Sequence, residues 1–221
     1  AGDEVTVLDI SLDKNRESLK RLLEGGAKVL YVDHHHPGEI PESPHLTALI
    51  NTAPEVSTSA LVNGHLQGQC AGWAVVGCYG DNLDTTAEKI AHQIAKVGDI
   101  LRWKQLGVLI NYNGYGARVE DLHFAPDELF RRLQPYGTPD ECLAADPQLL
   151  ETLSTAYQQD MALAQSAPRL VEEDALSVVY LPEAPWARRV SGVYGNELAN
   201  RAPDRAHAVL TDNDGDYLVS V

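Results

Sequence analysis

Lys28-Val29-Leu30-Tyr31-Val32-Asp33-His34-His35-His36-Pro37-Gly38 is an apolar run that turns polar in one step and stops at a Pro-Gly turn. The run reads as a buried strand with Asp33 to His36 at its carboxyl end. Upstream, Val5-Thr6-Val7-Leu8 is a second buried strand, ending at Asp9. Between them Asp13 can cap a helix from Lys14 to about Glu24, with Leu19, Leu22 and Leu23 on one face and Gly25-Gly26 as its stop. Strand, helix and strand within about 30 residues is the unit from which parallel sheets are built. The fold class expected is therefore α/β.

Further along, Leu46–Ile50 is a short strand, and Ser57 or Thr58 can cap a helix to about Leu66. Ala71–Tyr79 is small and apolar, open to helix or strand, and runs into Gly80-Asp81-Asn82. Asp84 caps a long helix from about Thr85 to Trp103; Val108–Ile110 then leads into the turn-rich loop Asn111–Gly116. From Pro126 to about Gln165 the pattern is helical, with Pro126, Pro139 and Pro147 each placed for a first turn. Ala167-Pro168 breaks the run. Strand Leu176–Leu181, a helix from about Pro185 to Asn200, strand Ala206–Leu210 and a hairpin through Asn213-Asp214-Gly215 complete the chain. The division expected is an α/β domain over 1–115 (a parallel sheet flanked by helices), a helical connector over 116–168 and a second, smaller α/β domain over 169–221.

The bulk composition bounds the function. With 22% charged and 44% hydrophobic residues among 221, the chain is of globular type. No apolar run approaches the roughly 20 residues that span a bilayer, and the chain opens without a basic, apolar leader, so a cytoplasmic protein without a membrane partner is expected. Three cysteines, Cys70, Cys78 and Cys142, make no CxxC pair and argue for a reducing compartment. The 17 Lys and Arg stand against 32 acids, a net charge of −15. Binding to long nucleic acid draws on a track of cations, so an extended duplex-binding surface is excluded. A phosphate ester of small or short-stranded type remains open, provided divalent metal neutralises the site.

In open α/β sheets ligands bind at the carboxyl ends of strands. Asp9 and the Asp33–His36 cluster stand at two such ends. Hard divalent ions take carboxylate oxygen and imidazole nitrogen, the donors this cluster offers. A lone Asp at a strand end also caps helices and forms turns, and a His run also makes a solvated loop. Spacing alone leaves both readings open.

The motifs decide more. Val32-Asp33-His34-His35-His36-Pro37-Gly38 resembles the Asp-His-His motif of the DHH superfamily of metal-dependent phosphoesterases. Leu8-Asp9-Ile10-Ser11 is similar to that family's second motif, and Gly77-Cys78-Tyr79-Gly80-Asp81-Asn82 to its fourth, a Gly-rich apolar segment ending in Asp. Asn111–Gly116 and Leu122-His123-Phe124-Ala125-Pro126 look like a bacterial branch of the family, and the region from Leu176 like the start of the DHH-associated C-terminal domain. The resemblance implies that Asp9 bridges two metal ions and that His34 and Asp81 hold one of them. Asp33 would be a ligand or the partner that orients His34, and His35 would face the substrate phosphate; both are the candidate catalytic groups. His36 receives no role. The implied cofactor is Mn²⁺, two ions in the complete enzyme, with Mg²⁺ as the alternative. The implied reaction is hydrolysis of phosphodiester or phosphomonoester bonds in nucleotides or short single-stranded nucleic acid, as in an exonuclease-like enzyme. A catalytically impaired binding module and an inorganic pyrophosphatase are the alternatives.

The family's first motif, Asp-x-Asp-Gly, has no match in the sequence, nor has its Gly-Gly-His element; the expectation is that they lie upstream of Ala1 and beyond Val221. Arg188 and Arg189, with Arg201 and Arg205, form the densest basic group. Arg188 and Arg189 are candidates for contact with substrate phosphate, against the plainer reading of a solvated helix face. His45, His65, His92, His123 and His207 are scattered and read as surface or capping residues. Asp212–Asp216 lacks the Gly and Glu positions of a calcium loop and reads as a turn.

Overall fold

The computed structural model describes residues 2–221. The chain divides into two compact units, one up to Val97 and one over Gly98–Val221.

The first unit begins with β1 (Glu4–Leu8), α1 (Leu12–Glu24), β2 (Lys28–Asp33) and β3 (Leu46–Ile50). The three strands make a parallel sheet in the order β1-β2-β3, with Leu8 opposite Val32 and Asp33 opposite Ile50. Right-handed β-α-β connection is the reason α1 returns across the sheet. It buries Leu12 and Leu19 against Val29 and Tyr31, with Val5 and Val7 packed alongside. Each such side chain contributes about 1.5–3 kcal/mol on burial. Ser11 stands at the N-cap of α1, while Asp13, expected as the cap, bonds Arg16 instead.

Three helices complete the unit: α2 (Thr58–His65), α3 (Ala71–Gly80) and α4 (Asp84–Ala91). The ambiguous Ala71–Tyr79 segment is the buried helix α3, with Ala74, Val75, Val76, Cys78 and Tyr79 inside. Burial on nearly all sides gives it no amphipathic period, which is why sequence alone leaves it open.

The second unit holds α5 (Ile100–Tyr112), a 3₁₀ turn at Val119–Asp121, α6 (Pro126–Leu133), α7 (Pro139–Ala145) and α8 (Pro147–Gln165). β4 (Arg169–Glu172), β5 (Leu176–Leu181), α9 (Pro185–Arg201), β6 (Ala206–Asn213) and β7 (Asp216–Ser220) follow. The sheet order is β4-β5-β6-β7; the central pair is parallel and both outer pairs are antiparallel. Val179, Leu181, Val190, Tyr194, Leu198 and Val209 form its core, joined by Tyr112 and Met161. Pro126, Pro139 and Pro147 all occupy first helical turns, as expected.

Two elements differ from the sequence reading. The long helix expected from Thr85 to Trp103 is two helices, and the chain restarts at Asp99, whose carboxylate accepts from the amide of Arg102. Val108–Ile110 lies inside α5, which packs on α8 and α9 in the second unit.

Among the described residues, no helix is long and apolar enough to cross a membrane.

Candidate metal centre

The β1–β2 pairing sets the site. Asp9 follows β1 directly, its amide donating to the carbonyl of Val32, and its backbone is left-handed at φ 60°. Asp and Asn tolerate that region better than most L-residues. Tyr31, buried in β2, donates its hydroxyl to the carbonyl of Ile10 at 2.7 Å and pins the turn. Asp33 ends β2 fully buried. Its Oδ1 accepts from the amides of His34 and His35 and from Nδ1 of His35 at 2.7 Å. Asp33 thus holds the ring of His35; of the two roles the motif implied, a ligand or the partner of His34, no contact with the His34 ring is seen. Its Oδ2 is buried with no hydrogen-bond partner among protein atoms.

The ring of His34 is set from elsewhere. Its Nδ1 lies 2.7 Å from the carbonyl of Val56, and since a carbonyl only accepts, Nδ1 is the donor there. Nε2 faces Oδ1 of Asp9 at 3.5 Å. An imidazole nitrogen and a carboxylate oxygen that face each other so closely are a donor pair for a cation. Donors about 2.1 Å from one ion, at tetrahedral or octahedral angles, stand roughly 3.0–3.4 Å apart. The separation fits. Among the described residues, Asp9, His34 and His35 form a set whose ligand atoms all lie within 4.8 Å of one another. Nδ1 of each ring is held by an oxygen, an arrangement common to metal-binding histidines.

Asp81, the third expected ligand, follows the last turn of α3. It stands outside the 4.8 Å set. It is nonetheless electrostatically coupled to the site: burial pushes its carboxyl up, the Asp9 carboxylate pushes it further, and His34 and His35 oppose the rise. The residue retains solvent contact on its outer side. Asp9 and Asp81 bring like charge into one place, which a divalent ion relieves.

The loop after the histidines is clamped. Arg16 on α1 donates to the carbonyls of Pro37 and Glu39 and to Asp13. Gly38 has φ 60°, and a Cβ there would meet the side chains of Arg16 and Asp13. His36 accepts through Nδ1 from the amide of Gly38, a turn contact and no more.

Arg188 and Arg189, expected at a substrate phosphate, are engaged inside the second unit. Arg188 grips Asp121 through two bonds, at 2.9 and 2.8 Å. Arg189 bonds Asp160 at 2.9 and 3.2 Å and the Asp121 carbonyl at 2.7 Å. Their side chains are only 14% and 12% exposed. Both guanidiniums hold carboxylates of their own unit, and a buried guanidinium so engaged has few donors left for phosphate. His123, read as a surface residue, is half-buried with Nε2 2.9 Å from the Tyr112 hydroxyl. Arg201 bonds Glu197, and Arg205 bonds Glu172 and the Leu176 carbonyl.

The Arg188 guanidinium, aided by the amides of Ala117 and Arg118, holds the Asp121 carboxyl at about 2. An unfolded Asp titrates near about 3.9. A carboxyl depressed by folding lends stability that is fully present above the unfolded value and lost as pH falls through the folded one. Stability of the second unit should therefore drop between pH 4 and 2, roughly the window set by those two values. Asp121→Asn should flatten that part of the profile in acid titrations followed by tryptophan fluorescence.

No family model matches the chain, and no curated protein matches it. Solved structures do. A DHH-domain protein, described as a member of a family of ribosomal proteins, superposes at TM-score 0.65 and 12% identity, over 94% of this chain and 54% of that one. The exonuclease RecJ bound to manganese superposes at TM-score 0.53 and 18% identity, over 95% of this chain and 60% of that one. The chain thus spans between half and two thirds of the length of either structure. The sheet order, the position of Asp33-His34-His35 at a strand end and these superpositions agree with the motif reading, and the chain has the fold of the DHH-domain proteins.

Proposed function

We propose that this chain is part of a metal-dependent phosphoesterase that hydrolyses phosphodiester or phosphomonoester bonds of nucleotides or short single-stranded nucleic acid. The observation that carries the reading is the 3.5 Å approach of His34 Nε2 to Asp9 Oδ1, with Asp81 adding like charge nearby. Asp9, His34 and Asp81 would hold the ion, and His35 stands close enough to join or replace one of them. Mn²⁺ is the first choice: carboxylate and imidazole suit it, and the RecJ structure of the same fold is a manganese complex. Bound there, a divalent ion supplies Lewis acidity and charge neutralisation for a transferring phosphoryl group.

The chain's own residues supply orientation. Asp33, buried and fixed by backbone amides, holds the His35 ring through Nδ1. A phosphoryl oxygen arriving there meets a preorganised ring, and no reorientation is needed at the moment of reaction. The net charge of −15 favours a short substrate, because a long polyanion would be repelled beyond the reach of the metal.

A hydrolysis panel with Mn²⁺ tests the reading, using short DNA, short RNA, cyclic dinucleotides and pyrophosphate. Turnover of a nucleotide or oligonucleotide, abolished by chelation and restored by Mn²⁺, is the expected result. Turnover of pyrophosphate alone would overturn the substrate class. Nucleotide binding with no turnover in any arm would make the chain a binding module.

A further inference from the structure

We infer that the segment Val56-Ser57-Thr58 is the positioning strap of the metal centre, and that Thr58 is its decisive side chain. Thr58 is legible in the sequence only as one of two possible helix caps. Ser57 takes the cap: its Oγ accepts from the amide of Ala60. That frees the Thr58 hydroxyl, which is buried and donates to Asp9 Oδ1 at 2.7 Å. One residue earlier on the other side of the cap, the Val56 carbonyl accepts from Nδ1 of His34. A single tripeptide thus fixes the rotamer of the carboxylate and the tautomer of the imidazole that face each other across 3.5 Å.

The strap is itself held. Thr86 on α4 donates its hydroxyl to the carbonyl of Glu55 at 2.7 Å. Ser57 Oγ lies 3.1 Å from Sγ of Cys78, buried on α3, and 2.8 Å from Ser59 Oγ. Asp81 closes that same α3. The strap therefore ties the ends of β1 and β2 to the helix that carries the third acidic group. Ligands held in this way lose less freedom on binding an ion, and removal of such outer partners typically weakens metal affinity by about 10–100-fold.

The hydroxyl proton also restricts Asp9. It occupies one lone pair of Oδ1 and leaves the other, with both lone pairs of Oδ2, for an ion. Without it the side chain of Asp9, 51% exposed, is free to turn into solvent. Thr58 itself touches neither substrate nor ion and is a positioning residue.

The inference rests on the reading of Asp9 and His34 as metal ligands, and the test separates the two. Mn²⁺ affinity is measured by electron paramagnetic resonance of the free aqueous ion on the full chain, with thermal unfolding followed in parallel. Thr58→Val keeps shape and loses the donor; Thr58→Ser keeps the donor; Asp9→Asn removes a ligand charge. Thr58→Val should weaken Mn²⁺ binding about tenfold or more, and Thr58→Ser should restore it. The melting temperature of the metal-free protein should follow neither change. Should Val at position 58 unfold the protein, Thr58→Ala is read in its place. Native affinity in Thr58→Val, with binding lost in Asp9→Asn, overturns the strap and leaves the metal centre standing. Native affinity in Asp9→Asn overturns the metal centre and the strap with it. Weakened affinity in the Val and Ser variants alike would assign Thr58 to packing and also overturn the inference.

Discussion

Exchanging Asp9 for Asn should lower Mn²⁺-supported hydrolysis by about a thousandfold or more. A group that holds ion and phosphoryl charge together is worth several kcal/mol, and about 1.36 kcal/mol makes each tenfold. The substitution is chosen to spare the fold. Asn tolerates the left-handed backbone of this position nearly as well as Asp does, and its amide oxygen still accepts from Thr58. What changes is the charge facing Nε2 of His34. The loss should fall on kcat when Mn²⁺ is saturating and on metal affinity when it is not. His34→Ala should do comparable harm, and the double variant little more, because ligands of one ion act as a unit. Native turnover in Asp9→Asn, at any Mn²⁺ concentration, would remove this carboxylate from the centre.

Asp9 and His34 are legible because both follow apolar strands, and a parallel sheet gathers strand ends on one edge. The contact between Thr58 and Asp9 is not, since it joins residues 49 apart and no local pattern encodes it. Its only trace is the doubled hydroxyl Ser57-Thr58 before a helix that needs one cap. Which ring Asp33 holds is hidden for a related reason: the motif gives its neighbours in sequence, whereas the His34 ring is set by a carbonyl at Val56. Arg188 and Arg189 mislead differently. Adjacent residues on a helix point about 100° apart, so two neighbouring arginines suggest at least one outward charge. Here Asp121 and Asp160 lie in both directions and hold each of them inward.

Fold legibility divides along similar lines. α1 and α9, the crossovers between parallel strands, declare themselves by apolar faces and stops. The break between α4 and α5 does not, because His92–Asp99 carries no proline and its one glycine, Gly98, lies at the far end. β4 is four residues long, directly after Pro168, too short to show an alternation. It joins the sheet through β5, a tertiary effect that composition does not reveal.

Asp160 belongs to a buried polar network in the second unit, and Asp160→Ala should destabilise that unit by about 3–5 kcal/mol. Asp160 accepts from Arg189 and from the hydroxyl of Tyr112, which is fully buried on α5. Burial and the Asp160 bond push the Tyr112 phenol well above its ordinary range. Burial and then Arg189 push the His123 ring down, against the pull of Asp160, and its Nε2 lies 2.9 Å from the same hydroxyl. Removing the Asp160 carboxylate leaves Arg189 buried as an uncompensated cation, with the Asp121 carbonyl as its remaining strong acceptor. Tyr112 loses its acceptor at the same stroke. Most of the cost is thus the stranded charge and not the lost attraction, which a second variant isolates. Asp160→Leu with Arg189→Met fills similar volume without charge and should recover most of the loss. Urea unfolding read through Trp103, buried in this unit, measures both. A double variant as unstable as Asp160→Ala would place the energy in the ion pair itself; an Asp160→Ala variant of native stability would mean that water reaches Arg189 and that the network is not a buried one.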